Sequence, residues 1–411
     1  MKAPYSALAT ETPGVGQLPA GTTISGIQYT SPPSVSDAVA SLGRTEDVAF
    51  SPSDRRLALA AFTRNRIGVF DIDIVSARGS TQVALTSGVE LSSPALQEPH
   101  GVDFIDDNTL IVTSRGSDVA LFTLPSGAPD VRSHEVLPVA SWPAGGTTLF
   151  NVPGSVSVIH VDEHVCEILI CNNDGHSVTR HRLDGGAGGV IRSGEVLLQK
   201  RLDLPDGVSM SPDRRWIAVS NHNTHSVLLY ENSPALNADT EPEGILRCVY
   251  YPHGLCFSAD GRYLFVADAG APFIHIYEQD RDEWRGVRHP AATVRVMDEA
   301  VFRRGSSGPG LGGPKGLDID TRANVVVVTS ECQPLAFFDV PALLRHAFAE
   351  TSVREQRILD TRYERWLLQG RRQMAVRVTE EIETFRKSRS WRITAPLRGL
   401  HSTLRRHRSL G

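Results

Sequence analysis

Six segments of the chain repeat one pattern, and that repetition restricts the fold more than any other feature. Each has a short polar start, an alternating apolar strand, an Asp/Gly-type turn, a second apolar strand, a polar break and a third strand. They read EDVAFSPSDRRLALAAFTRNRIGVFDID, HGVDFIDDNTLIVTSRGSDVALFTLP, SVSVIHVDEHVCEILICNNDGHSVTRHRL, DGVSMSPDRRWIAVSNHNTHSVLLYEN, HGLCFSADGRYLFVADAGAPFIHIYEQD and KGLDIDTRANVVVVTSECQPLAFFDV. They start at Glu46, His100, about Val156, Asp206, His253 and Lys315, 269 residues over five steps. A period of about 54 leaves room for a fourth strand, and the stretches near 83–91, 135–141, 195–202, 245–250 and 293–297 are apolar enough to supply it. Four antiparallel strands per unit predict an all-β, six-bladed β-propeller, in which radial repetition leaves only short, protected edges.

The sixth unit lacks a fourth strand, and the segment from Ile24 to Tyr29 has no partner of its own. The expectation is that this N-terminal strand closes the ring on the last blade. The domain reading is an unstructured start at 1–22, the propeller at 23–340 and a helical, basic tail at 341–411.

Charge separates the same two parts. From Pro341 onward there are 16 Lys+Arg against 7 Asp+Glu, so the preceding residues carry a net charge of −14 within the chain's total of −5. None of the five cysteines forms a CxxC pair, and most sit in apolar strands, where a reduced thiol behaves as a small hydrophobe. With neither a signal-peptide pattern nor an 18-residue apolar run, the expected location is the cytoplasm, at the inner face of the membrane.

Chemistry is expected where the blades converge. The residues that start the innermost strands ring the channel: Glu46, His100, Asp206, His253 and Lys315, with Asp47 next to Glu46. Two carboxylates and two imidazoles suit one divalent ion, Zn²⁺, Mn²⁺ or Ca²⁺, with Glu46, Asp206, His100 and His253 as the metal set. His253 and Lys315 are the candidates for polarising a carbonyl. The alternative is that these groups satisfy backbone and channel water, with Lys315 neutralising the carboxylates. A second layer follows the second strands, at Ser114, Asn172, Asn221, Asp268 and Ser330, with Arg115, His222 and Glu331 beside them. From these, His100, Asn172, Asn221, His222 and Asp268 are the expected contacts to a hydroxyl-rich, sugar-type ligand. The glycine-rich run 305–316 is read as a loop at the channel mouth; its GxGxxG has no surrounding strand–turn–helix unit. There is no G-x-S-x-G elbow.

The P-H-G, P-D-G and P-K-G starts resemble those of the gluconolactonase and senescence-marker-protein group of six-bladed, TolB-like propellers. That resemblance implies a divalent metal in the channel, held by a Glu, an Asn and an Asp, and lactone hydrolysis. Glu46 and Asp206 match two of the three; where the Asn belongs, this chain has Val156 and Ser157. The segment SRSWRITAPLR, 388–398, resembles the tail of bacterial glycosyltransferases and methyltransferases of surface-polysaccharide loci. It implies a setting in glycan assembly.

In the tail, Trp391, Leu397, Leu400 and Leu404 interleave with Arg392, Arg398, Arg405 and Arg406, as in a helix lying on anionic lipid. The acidic body argues against nucleic acid. The leading expectation is a non-catalytic binding or scaffold propeller, tethered by its tail to the membrane surface or to glycan-assembly enzymes. The alternative is a metal-dependent lactonase or related hydrolase working in the channel.

Overall fold

A computed structural model describes residues 24–347, apart from 78–79, 126–130, 144–148, 163, 185–189 and 309, together with most of 357–368. It contains six sheets, in each of which the blade's own consecutive strands pair antiparallel. Blade 1 is built from β1 (Thr45–Phe50), β2 (Arg56–Ala61), β3 (Arg66–Ala77) and β4 (Ser80–Ser92). The inner strands of the others are β5 (Pro99–Asp106), β10 (Pro153–His160), β14 (Pro205–Met210), β18 (Pro252–Phe257) and β23 (Pro314–Ile319). Consecutive inner strands touch in chain order, and β23 returns to β1, so the ring is closed. The chain is a six-bladed β-propeller. Between blades, the branched and aromatic residues of facing sheets interleave; Leu57, Leu59 and Phe70 of blade 1 share a cluster with Val325, Val327 and Phe337 of blade 6.

Closure comes from the expected segment, with less pairing than a full strand. Ile27 N–H donates to Phe337 O at 2.7 Å, on the third strand of blade 6, β25 (Ala336–Asp339). Thr30 then joins β4, donating to Val83 O at 3.0 Å. The segment thus bridges the last blade and the first. A helix the repeat pattern does not predict follows it, α1 (Pro33–Ser41), with proline at its first turn and Val35, Ala38 and Val39 buried against blade 1.

Two outer strands also lace blades together. β8 (Arg132–Glu135) leaves blade 2 to pair in parallel with β4, and β21 (Gly286–Arg288) leaves blade 5 to pair with β17 (Gly244–Leu246) of blade 4. The fourth strand of blade 2 is therefore β9 (Ala140–Trp142), at the end of the predicted stretch.

The start of blade 3 is corrected. β10 begins at Pro153, paired with Asn172, as Pro205 pairs with Asn221 and Pro252 with Asp268. The residue facing the channel there is Gly154, two residues before Val156. Pro-x-Gly at the blade starts has a packing reason. A Cβ on Gly207 would lie 2.3 Å from His253 O, and one on Gly254 2.5 Å from Lys315 O, so neighbouring starts meet backbone to backbone. The middle residue alone projects inward.

The chain forms two compact units, Met1–Leu359 and Asp360–Gly411. α3 (Val340–Ala347) belongs to the first, with Val340 and Leu343 in the core beside Val294 and Phe338. The described residues between 357 and 368 are helical, and Tyr363 is buried. Trp391, Arg392, Leu397, Arg398, Leu400, Leu404, Arg405 and Arg406 lie outside the described residues, as does the SRSWRITAPLR segment. Among the described residues, no helix is long and apolar enough to cross a membrane.

Candidate functional site

The ladder registers define two rings at one end of the channel. The first holds the middle residue of each blade start: Glu46, His100, Gly154, Asp206, His253 and Lys315. The second holds the residue just past each second strand: Phe62, Arg115, Asn173, His222, Ala269 and Glu331.

In the first ring all five side chains are buried and meet. His253 Nε2 stands 3.1 Å from Glu46 Oε2 and 3.2 Å from Asp206 Oδ2. His100 Nε2 lies 3.7 Å from Glu46 Oε2 and 3.4 Å from Asp206 Oδ1. Both imidazoles thus stand between the two carboxylates, stacked with ring centroids 5.3 Å apart. Lys315 Nζ is 3.1 Å from Glu46 Oε2 and 3.6 Å from Glu331 Oε1. Arg44, just before β1, bonds Glu46 Oε1 through Nε.

Gly154 leaves a gap in the ring, and Asn173 fills it: a Cβ on Gly154 would sit 2.7 Å from Asn173 Oδ1. Asn173 Nδ2 donates to Pro205 O at 2.8 Å and to Asp206 Oδ1 at 3.2 Å. An asparagine from blade 3 therefore reaches Asp206, although from the second ring rather than from the blade start. Arg115 and His222 complete the surroundings, 3.4 Å and 3.7 Å from the Asp206 carboxylate.

Protonation follows from this crowding. Burial alone would raise the pKa of Glu46, but the charge of Lys315, the close contact with His253 and the nearby His100 outweigh it and hold the group well below the usual carboxylate range. Asp206 is lowered too, as His253, His100 and Arg115 overcome its burial. Burial, and after it the charge of Arg115, keeps His100 well below an ordinary imidazole. Burial pushes His222 down to about 4. The ionised carboxylates of Glu46 and Asp206 and the neutral imidazole of His100 are in the forms that bind metals.

The donor set fits a divalent cation. Glu46, His100 and His253 each present an atom, all within 4.8 Å of one another, and Asp206 faces both imidazoles. Glu46 Oε2 and both ring nitrogens of His100 are buried without a properly directed hydrogen bond among the described residues. Buried polar atoms left this way are costly, and two of them, Glu46 Oε2 and His100 Nε2, face each other across the same point, as the ligands of one ion would. Two nitrogens and two carboxylates favour Zn²⁺ or Mn²⁺ over Ca²⁺. Lys315 competes for the same Glu46 oxygen, and Glu331 offers its ammonium a second acceptor.

No protein-family model and no curated protein matches the chain. Among solved structures it is similar to a luciferin-regenerating enzyme, at 12% identity and TM-score 0.46 over 72% of this chain and 92% of that one. It is also similar to a propeller provisionally described as a gluconolactonase, at 12% identity and TM-score 0.46 over 80% and 97%. A functionally unknown protein from Desulfotomaculum acetoxidans aligns at 12% identity and TM-score 0.44, over 72% and 83%. Similarity at this level says nothing about chemistry, which rests on the side chains.

Three expected ligand contacts are turned elsewhere. Asn172 accepts from Asn151 N–H at 2.9 Å and donates to Thr179 Oγ1 at 3.2 Å. Asn221 accepts from Asp203 N–H and donates to Arg201 O. Asp268 takes the N–H groups of Tyr250, Tyr251 and Gly270, and its Oδ2 meets His275 Nε2 at 3.0 Å. Each is the last residue of a second strand and caps its own blade's loops; the next residue is the one that faces the site. His222 is in that next position. Asp47 also turns away, accepting from Val48 and Val102 N–H.

Proposed function

We propose that the channel centre is the active site of a divalent-metal-dependent hydrolase acting on a lactone or a related ester. The observation that carries this reading is the convergence of Glu46, Asp206, His100 and His253 on one point, with three of their buried atoms lacking directed hydrogen bonds. Structural carboxylates in the same channel are saturated by backbone N–H groups; these are not.

A bound ion would supply a Lewis acid for the carbonyl oxygen and lower the pKa of an attacking water. The chain's own residues do the rest. Glu46, Asp206, His100 and His253 hold and orient, and their burial excludes bulk water. Lys315 donates a hydrogen bond to the oxygen that gains charge as the water's oxygen adds to the carbonyl carbon. His222, neutral above about pH 4, takes the water's proton and returns it to the leaving oxygen as the ester C–O bond breaks. The product is a hydroxy acid.

The test is hydrolysis of a panel of sugar and aliphatic lactones by manganese- or zinc-loaded protein. Turnover by the wild type, reduced by about 10²-fold or more in His222→Ala, is the expected result. Turnover unaffected by Asp206→Ala would count against it, and no turnover of any ester or lactone would return the channel to a binding role. In that case the scaffold reading, with the tail as a tether, becomes the better one, and truncation after Leu359, the end of the first unit, would change the protein's location without changing ligand binding.

A further inference from the structure

We infer that this site is built for an anionic substrate, and that Arg115, next to Phe62 and Arg44, forms the subsite that recognises a carboxylate or phosphate on it. The inference rests on the hydrolase reading above and names its substrate class.

Phe62 occupies the blade 1 position of the second ring, and its edge meets the ring of His100, with centroids 6.5 Å apart at 85°. Two guanidinium groups gather over it: Arg44 with Cζ 4.6 Å from the ring centroid, and Arg115 with Cζ 6.0 Å. An aromatic face beside charge is a favoured resting place for a planar guanidinium, which also presents its fork to an anion. Arg44 is engaged through Nε by Glu46 and Glu331, whereas Arg115 is not consumed by its partners. Arg115 makes one 3.4 Å contact to Asp206, and its Nε is buried with no acceptor among the described residues. About a quarter of each side chain remains open to solvent. The rest of each is held beside the metal donors.

Charge balance points the same way. Leaving the imidazoles aside, the carboxylates of Glu46, Asp206 and Glu331 are matched one for one by Lys315, Arg44 and Arg115. A divalent ion in this site raises the total to +2 in a region of low dielectric. A neutral lactone leaves that charge uncompensated; a substrate with its own carboxylate or phosphate offsets it at the guanidinium pair. Arg115 also lines a cavity of about 640 Å³ outside the ring of metal donors, with Gln97, Ser117, Ser141, Asn151 and the Asp118 carboxylate in its walls. Its hydroxyls and amides suit a hydroxyl-rich body attached to an anionic group held at Arg115, and Asp118 accepts from such hydroxyls.

The experiment is calorimetric titration of the full chain, loaded with Mn²⁺, using inorganic phosphate, glucuronate and uncharged glucose as probes. Manganese content is measured first on the same samples. Phosphate or glucuronate should bind one per chain, and whichever binds more tightly identifies the anion class; glucose should bind far more weakly. Arg115→Met should keep its manganese and lose about tenfold or more in anion affinity, with Arg115→Lys falling between. Far-ultraviolet circular dichroism shows that each variant is folded. Equal anion affinity in wild type and Arg115→Met would overturn the inference, since the anion would then sit on the metal alone. Absence of manganese would instead count against the hydrolase reading. Arg115-dependent phosphate binding by such metal-free protein would still support the anion subsite.

Discussion

The channel contains two layers of carboxylates a few residues apart, and the protein treats them in opposite ways. At the mouth, Glu46 and Asp206 are held ionised by lysine, arginine and imidazole, with polar atoms left over. Further along the inner strands, Asp47, Asp103 and Asp318 have no cation close by among the described residues. Asp318 accepts from Phe50 N–H at 2.7 Å, Asp47 from Val102 N–H at 3.2 Å and Asp103 from Val158 N–H at 2.7 Å. Each ties its blade to the next, from blade 6 to 1, 1 to 2 and 2 to 3. Burial raises Asp47 well above the ordinary range, Asp103 to about 7 and Asp318 to about 6; repulsion from Asp103 and Asp318 adds to the rise at Asp47, from Asp318 at Asp103 and from Asp54 at Asp318. Burial alone therefore does not make a site. The deeper layer staples the propeller; the mouth layer keeps charge and unfilled valence for a ligand.

The largest effect that would break this contrast is at Glu46. Glu46→Gln removes a ligand and should lower hydrolysis by more than about 100-fold, measured as initial rates at saturating metal. Asp318→Asn, in the deeper layer, should leave the rate within a fewfold. If both variants lose activity alike, the two layers are not functionally distinct.

Lys315→Met comes next. It strips Glu46 and Glu331 of a buried counter-charge and should cost about 3–5 kcal/mol in thermal unfolding of the metal-free protein. Because a divalent ion replaces the lost charge, adding Mn²⁺ should restore more stability to this variant than to the wild type. An equal increment in both would place the ion elsewhere.

The two layers also answer pH oppositely. Glu46 and Asp206 have lowered pKa values in the fold, so their stabilisation is present above the unfolded carboxylate range near pH 4 and is lost as pH falls. Asp103 and Asp318 have raised values, so their contribution is complete below about pH 4 and is lost as pH rises through about 6 and about 7. Stability from the channel should peak between these limits. Asp103→Asn carries a constant cost from one lost backbone bond, but its Tm should fall less between pH 5 and 8 than that of the wild type, by roughly 2 °C. Identical slopes would mean that Asp103 is not titrating in this window.

The smallest expected effect is at Asn173. Asn173→Ala leaves Pro205 O without its donor and should cost about 1 kcal/mol while retaining the metal.

The propeller and most of its mouth ring were legible because Pro-x-Gly recurs with a polar middle residue, and the ladder forces such residues inward. Blade 3 was misplaced because its start is Pro153-Gly154, which has no side chain to mark it. The second ring was displaced by one residue. Strand alternation turns Asn172 and Asn221 back into their own blades and sends Asn173 and His222 to the centre, and a one-residue shift reverses every facing. Asp103 and Asp318 look like ordinary polar positions of an alternating strand; only the packing of neighbouring blades gives them N–H partners. Helix α1 carried its own signals, Pro33 at the first turn and buried Val35 and Val39, but lies outside the repeat. Phe62 gave no signal, since nothing in sequence aligns it with Arg115.

The most direct test of the central claim is metal stoichiometry by plasma mass spectrometry on purified, tag-free protein, with Asp206→Ala and His253→Ala alongside. The account predicts about one divalent ion per wild-type chain after equilibration with Mn²⁺ or Zn²⁺, and loss of that ion in both variants. No bound metal in the wild type, or the same content in all three proteins, would contradict it.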